Sequence, residues 1–358
     1  MTIAASFIFG TIIGSFLNVC IYRIPRGISL VHPARSFCPN CKHLIPWHRN
    51  FPILSWLLLR GRCGHCHAPI SRLYLIVETL TALLFAAAAV LVPLPTLLSV
   101  WVILSILVVT TFVDLEFFII PDALSKSGIA AGLLLSLITP QLHKTSSPLV
   151  AVVLSLSGAF SGAIILFLIS EFGKLAFGRY KVRSERPTEF SFHVLLPDER
   201  QILIDREPFL WSEHFFRKSD RIIIHADEVN INGAQYENID LTFFHDRLVT
   251  SRETILLDQI THLSGHTAFA QFPREAMGLG DVKLIAAIGT FVGWKGILFT
   301  IAAASFLGAA FGIMAIALGK RERSAKIPFG PYLAIATVIW LFWGETLVSF
   351  YQESLLRL

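Results

Sequence analysis

Long apolar runs broken by short polar stretches dominate the chain. A bilayer crossing needs about 20 mostly apolar residues, and stretches of that length or near it fall at roughly 3–22, 73–92, 96–113, 123–139, 149–170, 282–293, 297–318 and 331–350. The one at 282–293 is short for a full crossing. Residues 171–275 depart from this pattern. There, short runs such as Gln201-Ile202-Leu203-Ile204 and Arg221-Ile222-Ile223-Ile224 alternate with polar stretches, and Asn232-Gly233 is a hairpin-turn signal between two candidate strands. The expected fold is therefore an all-α polytopic membrane protein of about eight transmembrane helices, interrupted by a small β-rich insert. A segment of that size, roughly 183–273 without its flanks, makes only a modest core of its own.

Composition agrees with a bilayer setting: 54% of residues are hydrophobic, 15% are charged, and the mean hydropathy is +0.64, outside the usual balance of a soluble protein. The net charge of +5 matters less than where the charges fall. The loop 23–72 carries Arg23, Arg26, Arg35, Lys42, Arg49, Arg60, Arg62 and Arg72 and neither Asp nor Glu, so the positive-inside rule puts it in the cytoplasm. Alternation then puts 114–122, 171–275 and 319–326 on the same side, 93–95 and 140–148 on the other, and both termini on the far side. Lys320, Arg321, Arg323 and Lys326 agree independently. The first apolar run lacks a basic preceding region and a clear cleavage site, so it is expected to stay as a helix. The expected division is a first helix (1–22), a cytoplasmic loop (23–72), a helical block (73–170), a cytosolic insert (171–275) of unreadable function, and a second helical block (276–358).

Acidic residues outside the insert are few, and Asp114, Glu116, Asp122 and Asp281 fall in two short segments at the ends of expected helices. Asp114 closes the run Val108-Val109-Thr110-Thr111-Phe112-Val113, and Pro121-Asp122 opens the next helix, with Asp122 expected as its cap. Asp281 stands in Met277-Gly278-Leu279-Gly280-Asp281-Val282-Lys283, where Gly278 and Gly280 permit unwound backbone. Ionisable groups at membrane depth normally face a bundle interior or a wet cavity. Two such carboxylates brought together could share a proton, one acting as general base on water and the other as general acid, with helix amides and Lys283 helping to hold negative charge. The residues alone equally allow Asp281 as a helix cap and Asp114 as an interfacial loop carboxylate.

Cys38-Pro39-Asn40-Cys41 and Cys63-Gly64-His65-Cys66 form two C-x2-C pairs with 21 residues between them, the spacing of a tetrathiolate zinc site. Thiols in a cytoplasmic loop stay reduced, which favours metal over disulfides. With four protein ligands the zinc is expected to be structural, with no position open for water. Cys20, inside the first helix, is expected to serve packing.

Taken together, these residues resemble the type IV prepilin peptidases, the leader peptidases of bacterial pilus and type II secretion systems. The resemblance rests on Gly14-Ser15-Phe16-Leu17-Asn18-Val19 with Arg23 and Pro25, and on the cysteine loop with Trp47, Ser55-Trp56-Leu57, Leu59-Arg60-Gly61, Tyr74 and Val77-Glu78 in family order. It rests also on Asp114 with Ile120-Pro121-Asp122, on the Gly-x-Gly-Asp segment, and on Ile327-Pro328-Phe329-Gly330-Pro331-Tyr332. It implies a GxGD-type aspartic protease with Asp114 and Asp281 as the catalytic pair, in the bacterial inner membrane with its site at the cytoplasmic face. The implied substrates are prepilins and pseudopilins with a short basic leader. Many such enzymes also N-methylate the new terminus with S-adenosylmethionine, an activity associated with the cysteine loop. The cofactor site is left open, with Glu78 near that region as its candidate. Lipid, and the pilus or secretion assembly machinery, are the other implied partners; no nucleic acid is. Two features depart from the family: Glu116-Phe117 replaces the Asp-His often seen after the first aspartate, and the insert is long. A peptidase without methyltransferase activity is the main alternative. A transporter with a zinc-knuckle loop fits less well, because its polar groups would sit near the midplane, and a metal-dependent hydrolase would need an H-E-x-x-H pattern that is missing.

Overall fold

The structure, a computed structural model, describes residues 2–33, 35–46, 51–196, 199–211, 215, 220–273, 278–318 and 328–356. Its elements are helices α1 (Ile3–Arg23), α2 (Leu54–Leu58), α3 (Arg72–Leu91), α4 (Leu97–Phe117), α5 (Asp122–Ile138), α6 (Pro148–Phe177), α7 (Leu279–Ala317) and α8 (Gly330–Leu356), with eight strands between α6 and α7. Residues Met1–Phe167 with Gly278–Leu358 form one compact unit and Leu168–Met277 a second.

In the helical unit, five helices among the described residues are long and apolar enough to cross a membrane: Ile3–Arg23, Arg72–Leu91, Leu94–Phe117, Pro148–Lys174 and Leu279–Ala317. The helical majority and the multi-pass character match the expectation. Reaching eight crossings would also require α5, α8 and two separate halves of α7. Residues 282–293 and 297–318, expected as two helices, form one element broken at Gly293, whose φ of 67° and ψ of 178° suit glycine alone.

Packing follows the apolar faces. Leu17, Cys20 and Ile21 of α1 are buried with Val77 of α3, Val108, Val109 and Val113 of α4 and Leu124 of α5. Farther along the same helices Phe85 stacks on Trp101 at 4.9 Å. Cys20 is thus a core residue. α7 packs on α5 and α8, and α4 touches both α7 and α8, so the end of α4 and the start of α7 belong to one helical cluster.

The second unit carries strands β1 (Arg179–Leu196), β2 (Glu199–Ile204), β3 (Glu207–Leu210), β4 (Ile222–Ile231), β5 (Ala234–Phe243), β6 (Arg247–Val249), β7 (Thr254–Leu256) and β8 (Leu263–Pro273), in one antiparallel sheet of order β3-β2-β1-β8-β4-β5-β6-β7. β4 (Ile222–Ile231) and β5 (Ala234–Phe243) are joined through Asn232 and Gly233, both at positive φ (50° and 93°), as a two-residue hairpin turn demands. Alternate residues of the strands, including Phe190, Ile202, Ile224, Leu241 and Phe272, make its core. β1 (Arg179–Leu196) and β8 (Leu263–Pro273) are neighbours, with Arg179 opposite Pro273. The chain therefore enters and leaves the sheet at adjacent positions.

Candidate active site and metal centre

Asp114 lies in the last turn of α4, which ends at Phe118 in the left-handed conformation with its amide bonded to the Asp114 carbonyl. The side chain is 5% exposed. Its Oδ2 accepts a hydrogen bond of 2.9 Å from the Gly330 amide, at the first turn of α8, where helix N–H groups have no partner of their own. A Cβ on residue 330 would lie 2.7 Å from that oxygen, so only glycine lets the backbone come this close. Gly330 belongs to the Ile-Pro-Phe-Gly-Pro-Tyr block, but sequence reasoning finds no role for it. Its donor is a backbone amide, which leaves no mark on the side-chain pattern.

Asp281 stands in the first turn of α7, following Gly278 as the capping residue, and its amide donates to the Gly278 carbonyl at 3.2 Å. Gly280 packs against Ile120, in the turn between α4 and α5. The Asp281 carboxyl lies within electrostatic range of Asp114, so the two carboxylates singled out in the sequence share one neighbourhood.

Asp122 does something other than cap. Pro121 occupies the cap position and makes no side-chain cap bond. The Asp122 carboxylate instead accepts from Lys283 and pairs with Lys126 at 3.0 Å. Lys283, expected near the charge of Asp281, is thereby tied to Asp122 and fastens the start of α5 to the start of α7.

The cysteine loop consists of two matching knuckles. Phe37 bridges Leu44, and Arg62 bridges Pro69. The Cys38 amide donates to the His43 carbonyl and the Cys63 amide to the Ala68 carbonyl, while Lys42 and His67 hold the same positive-φ position in each turn. The Sγ atoms of Cys38, Cys41, Cys63 and Cys66 all lie within 4.8 Å of one another, with Cys38 and Cys66 at 3.9 Å. Sulfurs bound tetrahedrally at about 2.3 Å sit roughly 3.8 Å apart, so the donor set fits a thiolate metal site. The loop is anchored on α1 by the buried Arg23, whose guanidinium donates to the carbonyls of Ser29, Leu30, Pro33 and Arg35.

Between α1, α3 and this loop lies a cavity of about 490 Å³, with Glu78 in its wall. Glu78 Oε2 accepts from the Ile53 amide at 2.6 Å.

Compared with known proteins, residues 8–92 match the Bacterial Peptidase A24 N-terminal domain and residues 256–313 the Type IV leader peptidase family. A "Prepilin leader peptidase/N-methyltransferase" of Aeromonas hydrophila is 31% identical over 98% of this chain and 93% of that protein. The chain belongs to the type IV leader peptidase family. A protein of the same description from Legionella pneumophila is 25% identical over 96% of this chain and 92% of its own length. One from Myxococcus xanthus is 44% identical over 36% of this chain and 39% of its own. No solved structure matches. The first family segment spans α1, the cysteine loop and α3, and the second includes Asp281, whereas Asp114 lies between them and is covered by the longer alignments.

Proposed function

We infer that this membrane protein cleaves the leader peptide from prepilins and N-methylates the residue newly exposed. What carries the proteolytic half is the convergence of Asp114 and Asp281 from the ends of two helices far apart in sequence, in a chain related over its whole length to prepilin leader peptidases. In this reading one aspartate takes a proton from the attacking water, and its protonated partner donates to the scissile carbonyl oxygen and then to the departing amine. No covalent intermediate is needed. The Gly330 amide engages Oδ2 of Asp114, which leaves Oδ1 for the shared proton or the water in this reading. Lys283 and Asp122 form a solvent-exposed pair between the start of α7 and that of α5, outside the chemistry itself.

The cysteine site is read as structural zinc, held by all four thiolates and organising a loop too small for a core of its own. S-adenosylmethionine is the methyl donor in this reading. The basic loop supports a cytoplasmic position for the reactive groups, where the short basic leaders of prepilins and pseudopilins would be met before assembly of the pilus or secretion machinery. The test is incubation of the purified protein with a prepilin and methyl-labelled S-adenosylmethionine, scoring cleavage and label transfer separately. Both are expected; an intact prepilin after complete incubation overturns the peptidase reading, and cleaved but unlabelled product overturns the second activity.

A further inference from the structure

The cavity beside the cysteine loop is walled by Tyr22 of α1, Phe37 and Trp56 of the loop, Tyr74 and Glu78 of α3 and Glu116 at the end of α4. Its volume, about 490 Å³, is that of a small-molecule site. One charged group in it has no counter-charge. Glu78 is 7% exposed; it accepts from the Ile53 amide and has Ser15 and Asn18 beside it as further donors, yet no basic side chain pairs with it among the described residues.

The other charges of the cavity are already matched. Arg26 pairs with Glu116 at 3.2 Å, and Arg23 is saturated by backbone carbonyls. The cavity thus offers one carboxylate without a counter-charge among the described residues and aromatic walls. That combination complements a ligand with a fixed positive charge and a flat heteroaromatic ring.

We propose that this cavity binds the methyl donor, S-adenosylmethionine, with Glu78 facing its sulfonium and the aromatic walls, Trp56 among them, packing on its adenosyl part. The proposal rests on the bifunctional reading above. Bound there, the donor supplies a methyl group that passes to the neutral α-amine of the cleaved product as the carbon–nitrogen bond forms and the carbon–sulfur bond breaks, sulfur keeping the electron pair and the amine releasing a proton to water. Glu116 follows Asp114 by two residues on α4, about 200° around the helix and about 3 Å along it. The cleavage carboxylate and the transfer cavity therefore lie on opposite sides of one helix end, and the new N-terminus rounds that end to pass from one to the other.

The decisive experiment measures equilibrium binding of S-adenosylmethionine and of its neutral thioether product, S-adenosylhomocysteine, to the full-length protein without prepilin. Zinc content serves as the check on folding of each variant. Wild type is expected to prefer the sulfonium form. E78Q should weaken S-adenosylmethionine by roughly 30-fold or more and abolish that preference, whereas E78D should retain it. W56L should weaken both ligands alike, by about two- to tenfold. If wild type methylates but zinc-loaded E78Q binds both ligands as wild type does, the cavity assignment is wrong while the bifunctional reading stands. The assignment fails equally if E78Q leaves binding intact and raises KM for prepilin, which would make the cavity a seat for the basic leader. If wild type neither binds the donor nor methylates cleaved prepilin, the bifunctional reading falls and the proposal with it.

Discussion

Replacing Gly330 by alanine isolates the contribution of one backbone contact to cleavage. Gly330 is not among the residues at positive φ, so its backbone does not demand glycine on that ground, although Pro331 after it crowds any Cβ in the helical region and membrane level must be checked for the variant. The obstacle is local: the new Cβ would lie 2.7 Å from Asp114 Oδ2 and 3.3 Å from its Cγ. Restoring ordinary contact moves the carboxylate by roughly half an ångström and stretches its hydrogen bond to the amide. A catalytic group displaced by about 1 Å loses on the order of 100-fold in rate. A hydrogen bond to an ionised group is worth about 1.5–3 kcal/mol, or about 10- to 100-fold at 1.4 kcal/mol per decade. Both routes predict that kcat for leader cleavage by G330A falls about 10- to 100-fold, with KM much less changed. Single-turnover cleavage of a purified prepilin measures it, with membrane level and zinc content confirming an intact enzyme. A normally accumulating, zinc-loaded G330A that cleaves within about twofold of wild type would refute the claim that this contact aligns Asp114.

Three further outcomes are expected. D122N should retain cleavage to within about threefold, because its ion pairs with Lys126 and Lys283 are solvent-exposed and such pairs contribute little; a loss as deep as that of a catalytic variant would place Asp122 in the chemistry itself. The purified protein should carry about one zinc, and C63S should release it and depress methylation more than cleavage, as metal analysis and the two-product assay together report. Replacing residues 180–272 by a short Gly/Ser linker should preserve cleavage, since Arg179 and Pro273 stand opposite each other at about 5 Å; near-complete loss of processing at normal membrane levels would show that the sheet takes part in it.

How much of the fold and the site is legible in the sequence depends on whether the signal is local. The cysteine spacing names four candidate ligands without any fold, and the structure adds that their sulfurs converge and that the two knuckles repeat each other bond for bond. Asp114 and Asp281 stand out as acids at the ends of apolar runs. Their proximity is not legible, because it depends on how α4 and α7 pack. The Pro-Asp pair alone makes Asp122 look like a cap; its carboxylate turns to Lys283, a partner on another helix that local sequence does not specify. The Gly330 contact is silent for a different reason, its donor being main chain. In the sheet, the strand runs and the Asn232-Gly233 turn are local and readable, while the pairing of the first strand with the last is not. The apolar segments 282–293 and 297–318 mark the two parts of α7, on either side of the backbone break at Gly293.

The central claim is that two aspartates act together on the peptide bond, and the most direct measurement is cleavage of a purified prepilin by D114N and by D281N, each reconstituted in lipid. Each change keeps side-chain volume and removes one proton-transfer partner, and groups that act as a unit fail together. The account predicts that either substitution alone abolishes leader cleavage while zinc content and membrane insertion stay at wild-type levels. Wild-type cleavage by either variant would contradict it.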